Sequence, residues 1–404
     1  MPKITVAVLF GGRSTEHEIS IITGHEIINA FDTTRYTPIP VYIDQRGRWF
    51  TGPELMNKDT YRSLPGSLDS LKEVTLLPVP KTGGLTVVGG KKSFQLFGGG
   101  KPEVIPVDVF FPAFHGQFGE DGCIQGLFEM ADVAFTGCGV LASALAMNKY
   151  ICKTVLQMHG VPVLPSTIAK KSAAQKNLSA VREQILGTPG LERFPLFVKP
   201  VNLGSSIGVG KADDAPTLDA ALARVFQYDI EAIVEPCVTQ KLEVNVSVRD
   251  TPHAVASVTE TPVSSGDLLS YEDKYLRGGG GKKGKGKASG GGAQGMASLV
   301  RVIDPPDLAE NYKSAVLKHA VNAYQVLSCS GVVRFDFMID LQTERLYFNE
   351  LNPLPGSMAH YLWEKSAPPV LYPELLDDIV QSALSRKELQ SALLRDVGFK
   401  ALFR

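Results

Sequence analysis

Two short segments towards the carboxyl end carry residues whose types and spacing suit catalysis. Arg334-Phe335-Asp336 and Phe348-Asn349-Glu350-Leu351-Asn352 read as two strands. In each, residues two apart share a face, so Arg334 groups with Asp336 and Glu350 with Asn352. If the strands are neighbours, Asp336, Glu350 and Asn352 bring two carboxylates and an amide oxygen together. That hard-oxygen set suits Mg2+ held jointly with nucleotide phosphates. Arg334 beside it supplies a fixed positive charge for negative charge developing on a reacting oxygen. The plain alternative is a pair of edge strands with solvated acids, which an arginine beside them on otherwise apolar strands disfavours.

Three further groups have the composition of binding loops. In Lys199-Pro200-Val201-Asn202-Leu203-Gly204-Ser205-Ser206-Ile207-Gly208, a strand delivers a lysine into a turn of small residues. Such a turn can direct backbone N–H groups and hydroxyls at phosphate oxygens, although a simple hairpin turn has the same composition. The segment Phe114 to Gly122, containing His115, follows a strand and so falls where open α/β sheets bind ligands. Gly11-Gly12-Arg13-Ser14-Thr15-Glu16 is a glycine turn entering a helix. It lacks GxGxxG, and its acids would repel a pyrophosphate, whereas Glu16 could hold an ammonium group.

The elements that must position these groups follow from apolar periodicity. Ile4 to Phe10 reads as a strand, residues 14–31 as a helix and Tyr36 to Ile43 as a strand. That order predicts a parallel α/β sheet at the amino end. Residues 52–104 look irregular, with a hairpin excursion at 85–88 and 94–97, before a strand over 107–111. A single helix is predicted from Leu141 through Met147-Asn148-Lys149 to His159. Strands follow at 197–199, 230–235 and, with antiparallel alternation, 242–248. Residues 278–296 are a Gly/Lys tract that cannot bury a core and is either a linker or a lid. Beyond it come a helix over 308–327 and strands over 331–339 and 345–351.

At 404 residues the chain exceeds one ordinary hydrophobic core, so two or three domains are expected. With 41 Lys+Arg against 42 Asp+Glu, no net field draws in nucleic acid or anionic lipid. The leading apolar run is only Ile4 to Phe10, too short for a signal region or a membrane span, which predicts a cytoplasmic location. The five cysteines are scattered without CxxC spacing and read as reduced thiols rather than disulfides or a zinc site.

Taken in order, the stretches VLFGGRSTEHEIS, FHGQFGEDGCIQG, MNKYICK, FVKPVNLGSSIGVGK, YEDKY, RFDF and FNELNPLPGS resemble the D-alanine–D-alanine ligases of the ATP-grasp superfamily. The likeness runs from residue 8 to residue 357. It implies a three-domain α/β architecture: an N-terminal parallel α/β domain (1–137), a central domain (138–235), and a C-terminal domain (236–404) carrying a lid at 271–300. Nucleotide would lie between the last two. It further implies ATP as phosphoryl donor, Mg2+ (or Mn2+) as the metal, small D-amino acids as substrates, a homodimer, and no nucleic-acid or membrane partner. By the resemblance, Glu16 holds the first ammonium, with His115 near that substrate's carboxylate and Ser205 and Tyr275 beside Glu16. Lys149 and Lys199 contact phosphates, and Glu235 and Glu243 face adenine and ribose, at a spacing one residue longer than the family's. Lys274 and Tyr275 ride on the lid. Arg334 and the Gly356 N–H stabilise the oxyanion, and Asp336, Glu350 and Asn352 bind the metal.

Two departures bear on this. Tyr361 stands where the family often has a serine contacting the second substrate's carboxylate, and the lid is an unusual Gly/Lys stretch. The nearest alternative is therefore the same mechanism with D-serine, D-lactate or another small amine as acceptor, with Tyr275 favouring an amine. A non-catalytic nucleic-acid binder using the Gly/Lys tract is disfavoured by balanced charge and the absence of interleaved aromatics.

Overall fold

The computed structural model describes residues 2–88, 102–204, 206–251, 253–263 and 301–395. Ser205, Lys274, Tyr275, the Gly/Lys tract and residues 94–97 lie outside the described residues. Among those described, the strands form sheets of eight, four and five.

Strand β1 (Ile4–Gly11) is apolar and fully buried from Val6 to Phe10 because both its faces are covered there. Val6, Val8 and Phe10 face a core shared with Ile27 and Ile28, while Ala7 and Leu9 pack towards Phe110 and Phe128. At Gly11 the backbone turns with φ +91, and an added Cβ would meet the Ile43 carbonyl oxygen at 2.3 Å, so only glycine fits. The chain then enters helix α1 (His17–Ala30). Glu16 occupies its N-cap position without making a capping bond.

Strands β2 (Tyr36–Ile43), β7 (Val109–Pro112) and β8 (Ala134–Phe135) complete the parallel part, in the order β2-β1-β7-β8. The parallel sheet expected at the amino end is present, and it is longer than its parallel part. Beyond β2 it continues antiparallel through β3 (Trp49–Thr51), β4 (Lys72–Thr75), β5 (Gly84–Val87) and β6 (Val104–Pro106); β5 falls on the first arm of the expected hairpin excursion, whereas β4 lies in the stretch read as irregular. Strands of three or four residues are too short to show alternation. Helix α2 (Cys123–Ala131) follows the His115 loop and buries Ile124 and Phe128.

The single helix predicted over 141–159 is two, α3 (Val140–Met147) and α4 (Lys149–Met158). Asn148 makes the break: its side chain accepts the Ile151 N–H at 3.0 Å and caps the second helix. Continuous apolar character on either side hides this in the sequence.

The second sheet has the order β11-β10-β12-β9 and is antiparallel, built from β9 (Thr167–Lys170), β10 (Leu196–Pro200), β11 (Gly210–Ala212) and β12 (Glu231–Pro236). The third, also antiparallel, has the order β15-β14-β13-β16-β17: β13 (Lys241–Arg249), β14 (Val255–Pro262), β15 (Arg301–Ile303), β16 (Val333–Asp340) and β17 (Arg345–Asn352). One face of it buries Val244, Val246, Phe335 and Phe337 against helix α5 (Glu310–Val326), which leaves the other face for polar residues. Helix α6 (Tyr372–Ser391) returns to the first sheet's core through Leu375, Leu376, Ile379, Val380 and Ala383, a helical stripe. Among the described residues no helix is long and apolar enough to cross a membrane. Cys138, Cys152 and Cys329 are buried, Cys123 is exposed and Cys237 is half-buried, all as free thiols.

Candidate active site

The polar face of the third sheet carries one row of side chains in register: Glu350 opposite Asp336, Asp336 opposite Asn245, and Asn245 opposite Glu260. Arg334 and Asn352 pair one step along. Antiparallel partners share a face, so Asp336, Glu350 and Asn352 do converge as their spacing predicts. Arg334 grips Asp336 through Nε and Nη2 at 2.7 and 2.8 Å, and Asn352 Nδ2 donates to Asp336 Oδ2 at 3.1 Å. Burial opposes the Arg334 charge, but the Asp336 carboxylate outweighs it and holds the guanidinium well above its ordinary pKa.

Two carboxylates and an amide fit Mg2+ shared with phosphates. Lys149 Nζ lies 3.9 Å from Glu350 Oε2 and brings a second cation to this face.

The lysine-bearing strand β10 aims Lys199 Nζ at Asn349 Oδ1 (3.0 Å) and at Glu235 Oε2 (2.8 Å). The other oxygen of Glu235 pairs with Lys153, a lysine within helix α4. Both side chains of that second pair are at most 2% exposed. Burial disfavours ionised Glu235, but Lys153 and Lys199 outweigh it and bring its pKa down to about 2. Burial pulls Lys153 down to about 8 despite this partner. Glu235 lines the cleft, yet its carboxylate is taken up by two lysines rather than turned to a nucleotide base. Glu243 is paired with Lys241 at 2.6 Å at the cleft wall.

Three loops meet at Glu16, which is 5% exposed. A Cβ on Gly116 (φ +77) would lie 2.9 Å from Glu16 Oε2, and one on Gly204 would lie 3.4 Å from it. The glycine turn, the His115 loop and the Lys199–Gly208 loop therefore close on one carboxylate. Ser14 Oγ donates to the His115 carbonyl at 2.6 Å, tying two of these loops together. His115 itself is buried with Nε2 2.9 Å from Thr23 Oγ1. Burial first, then the charge of Arg334, lowers its pKa to about 4, so the ring is neutral near pH 7. Glu120 accepts the Gly116 N–H at 2.6 Å and is pushed up to about 8 by burial and by Glu16.

After Gly356 the backbone adopts left-handed φ at Ser357, Met358 and Ala359 (49, 54 and 48), three non-glycine residues in a row. Each costs on the order of 1–3 kcal/mol, and such strain gathers at functional sites. Ser357 Oγ is bound to Glu26 of helix α1, which pins the turn. Tyr361, three residues after Met358, is 8% exposed and hydrogen-bonded to Glu260.

One cleft is lined by Lys149, Lys199, Gly204, Glu235, Glu243, Asn245, Arg334, Asp336, Asn349 and Glu350. Lys153, Asn349, Glu120 and Glu260 are members of this assembly that the sequence reading did not single out. Glu120 sat inside a quoted loop, and Lys153 is one helical turn from Lys149. Nothing local marks Glu260.

Residues 5–138 match the D-ala D-ala ligase N-terminus family, and residues 155–288 and 294–381 match the D-ala D-ala ligase C-terminus family. Among similar proteins, the D-alanine–D-alanine ligase of Heliobacterium modesticaldum is 34% identical over 390 residues, 96% of each chain. The solved D-alanine–D-alanine ligase of Coxiella burnetii superposes with a TM-score of 0.75 at 26% identity, covering 97% of this chain and 98% of its own. The VanG D-Ala:D-Ser ligase of Enterococcus faecalis gives 0.74 at 25% identity, covering 95% and 100%. With family matches over most of its length and a full-length relative above 30% identity, the chain belongs to the D-alanine–D-alanine ligase family.

Proposed function

We propose that this chain joins two D-alanine molecules while converting ATP to ADP and phosphate. One observation carries the reading: the lysines, Arg334 and the Asp336–Glu350 pair line one cleft with Gly204, which abuts the buried Glu16. Phosphate-handling groups thus adjoin a carboxylate able to hold an amino acid's ammonium.

In the first step the donor's carboxylate oxygen attacks the γ-phosphorus and ADP leaves. Lys149 and Lys199 offset phosphate charge, Lys199 exchanging its contacts with Glu235 and Asn349 for phosphate while Lys153 keeps Glu235 paired. Asp336, Glu350 and Asn352 would hold Mg2+ (or Mn2+), which when bound supplies Lewis-acid neutralisation of the phosphates. In the second step the acceptor amine attacks the acyl carbon, the C–N bond forms, the C–O bond to phosphate breaks, and the amine loses its excess protons. Arg334 and the Gly356 N–H face the oxyanion. His115, neutral, serves the donor as a hydrogen-bonding group and not as a cation. From the resemblance, Ser205 and Tyr275 complete the donor site with Glu16, Lys274 covers the γ-phosphate, and Glu243 serves the ribose.

A division at 137/138 is supported by the first sheet ending at Phe135, and one close to 235/236 by the second sheet ending at Pro236. The resemblance further supports a cytoplasmic homodimer. Phosphate release that requires both D-alanine and magnesium, with D-alanyl-D-alanine detected by mass, is the expected result. Absence of the dipeptide overturns the reading. A second reading, in which D-serine or D-lactate is the acceptor, is favoured by the Tyr361 hydroxyl being engaged elsewhere. The same assay with those acceptors separates the two.

A further inference from the structure

The acceptor end of the site is not built around the hydroxyl at position 361. Tyr361 donates its O–H to Glu260 Oε1 at 3.1 Å. A phenol has one proton to give, so once it is committed only lone pairs remain, and these repel a carboxylate. Glu260 is held from two other sides, by Asn245 Nδ2 at 3.1 Å on Oε1 and by Arg301 Nη1 at 2.9 Å on Oε2. The Arg301 guanidinium lies over the Tyr361 ring, 4.2 Å from its centroid. Arg301 is thus held between the Tyr361 ring and the Glu260 carboxylate, with both charged side chains at most 8% exposed.

The register fixes where this cluster stands. Glu260 is in line with Asn245 and Asn245 with Asp336, so Glu260 is two strands from Asp336 on the same face, about 10 Å away. Arg301 follows on β15, paired with Pro262. An amine reacting beside Arg334 has its own carboxylate about 3.5 Å further on, the length of one residue.

Resting on the ligase reading above, we propose that Arg301, aligned by Glu260 and Tyr361, binds the carboxylate of the acceptor amino acid and selects acceptors that carry one. Arg301 contacts the substrate, whereas Glu260 and Tyr361 are positioning residues. A guanidinium offers paired N–H donors matched to a carboxylate, a fork that lysine lacks.

The test uses D-alaninamide, which has no free carboxylate to be phosphorylated and so enters only as acceptor. The full-length enzyme is given ATP, magnesium and D-alanine with or without D-alaninamide, and the two dipeptide products are separated by mass. The wild type is expected to prefer D-alanine by at least about tenfold in kcat/KM. Arg301→Gln should bring that preference close to one, chiefly through acceptor KM, while continued turnover of D-alaninamide reports a folded enzyme. Arg301→Lys should restore only part of the preference. A preference retained in Arg301→Gln, or lost in Tyr361→Phe instead, overturns the proposal. So does loss of both products in both Arg301 variants, which makes the residue structural. If the wild type forms no dipeptide with any acceptor, the ligase reading fails instead.

Discussion

Asp336 stands directly opposite Glu350 across β16 and β17, and the register slips by one residue beside them, so that Phe337 opposes Phe348. Phe348 and Glu350 are two apart and would ordinarily share a face. The bulge at Asn349 puts Phe348 into the core and Glu350 beside Asp336, and it offers Asn349 Oδ1 to Lys199. Sequence spacing alone does not reveal this twist in the strand.

Glu350→Ala removes a carboxylate that no neighbour on that face can replace. Turnover should fall at least about 100-fold with the fold intact by circular dichroism. Near-normal phosphate release from this variant at saturating magnesium would falsify the metal assignment.

Arg334→Lys keeps the charge but loses the two-pronged grip on Asp336. If Arg334 also serves the oxyanion, kcat should drop by about 100-fold, the usual effect of losing one such donor, with KM for ATP moving much less. Steady-state kinetics in ATP and in D-alanine distinguish this from a binding defect. A variant altered only in KM for ATP would argue against the oxyanion role.

Lys153→Met leaves the buried Glu235 with Lys199 as its remaining ion partner. Removing one member of a buried ion pair costs about 3–5 kcal/mol, and Lys199 should hold the loss near the lower figure. Because Lys199 is then the sole counter-ion of Glu235 among the described residues, KM for ATP should also rise. Urea unfolding and ATP titration check both, and a variant as stable as wild type contradicts the pairing.

Glu120 is pushed up to about 8 in the folded chain, against 4.5 for an ordinary glutamate, by burial and then by Glu16. The folded state therefore retains a proton that the unfolded chain releases. Its contribution to stability is fully present below about 4.5 and is lost as pH rises through about 8. Glu120→Gln keeps the shape and removes the titration. The stability difference between wild type and variant should then change across that window in denaturant melts from pH 4 to 9. A difference that stays constant over the range would exclude Glu120 as the titrating group.

What the sequence by itself determined is the set of local pieces. The β1–Gly11–α1 unit, the Lys199 strand and the Arg334-to-Asn352 strand pair are each written in a run of apolar residues with a polar or glycine exception, and their order carries the family likeness. The strands at 49–51, 72–75 and 104–106 were not legible, being too short for periodicity. Neither was the helix break at Asn148, where capping competes with continuous apolar character. Only the tertiary structure decided the partners: Lys153 with Glu235 from 82 residues away, and Tyr361 with Glu260 from 101. The physical reason is that a buried charge is stable only where another element brings its counter-charge. Strand register and the packing of sheets, rather than neighbours along the chain, decide which elements meet.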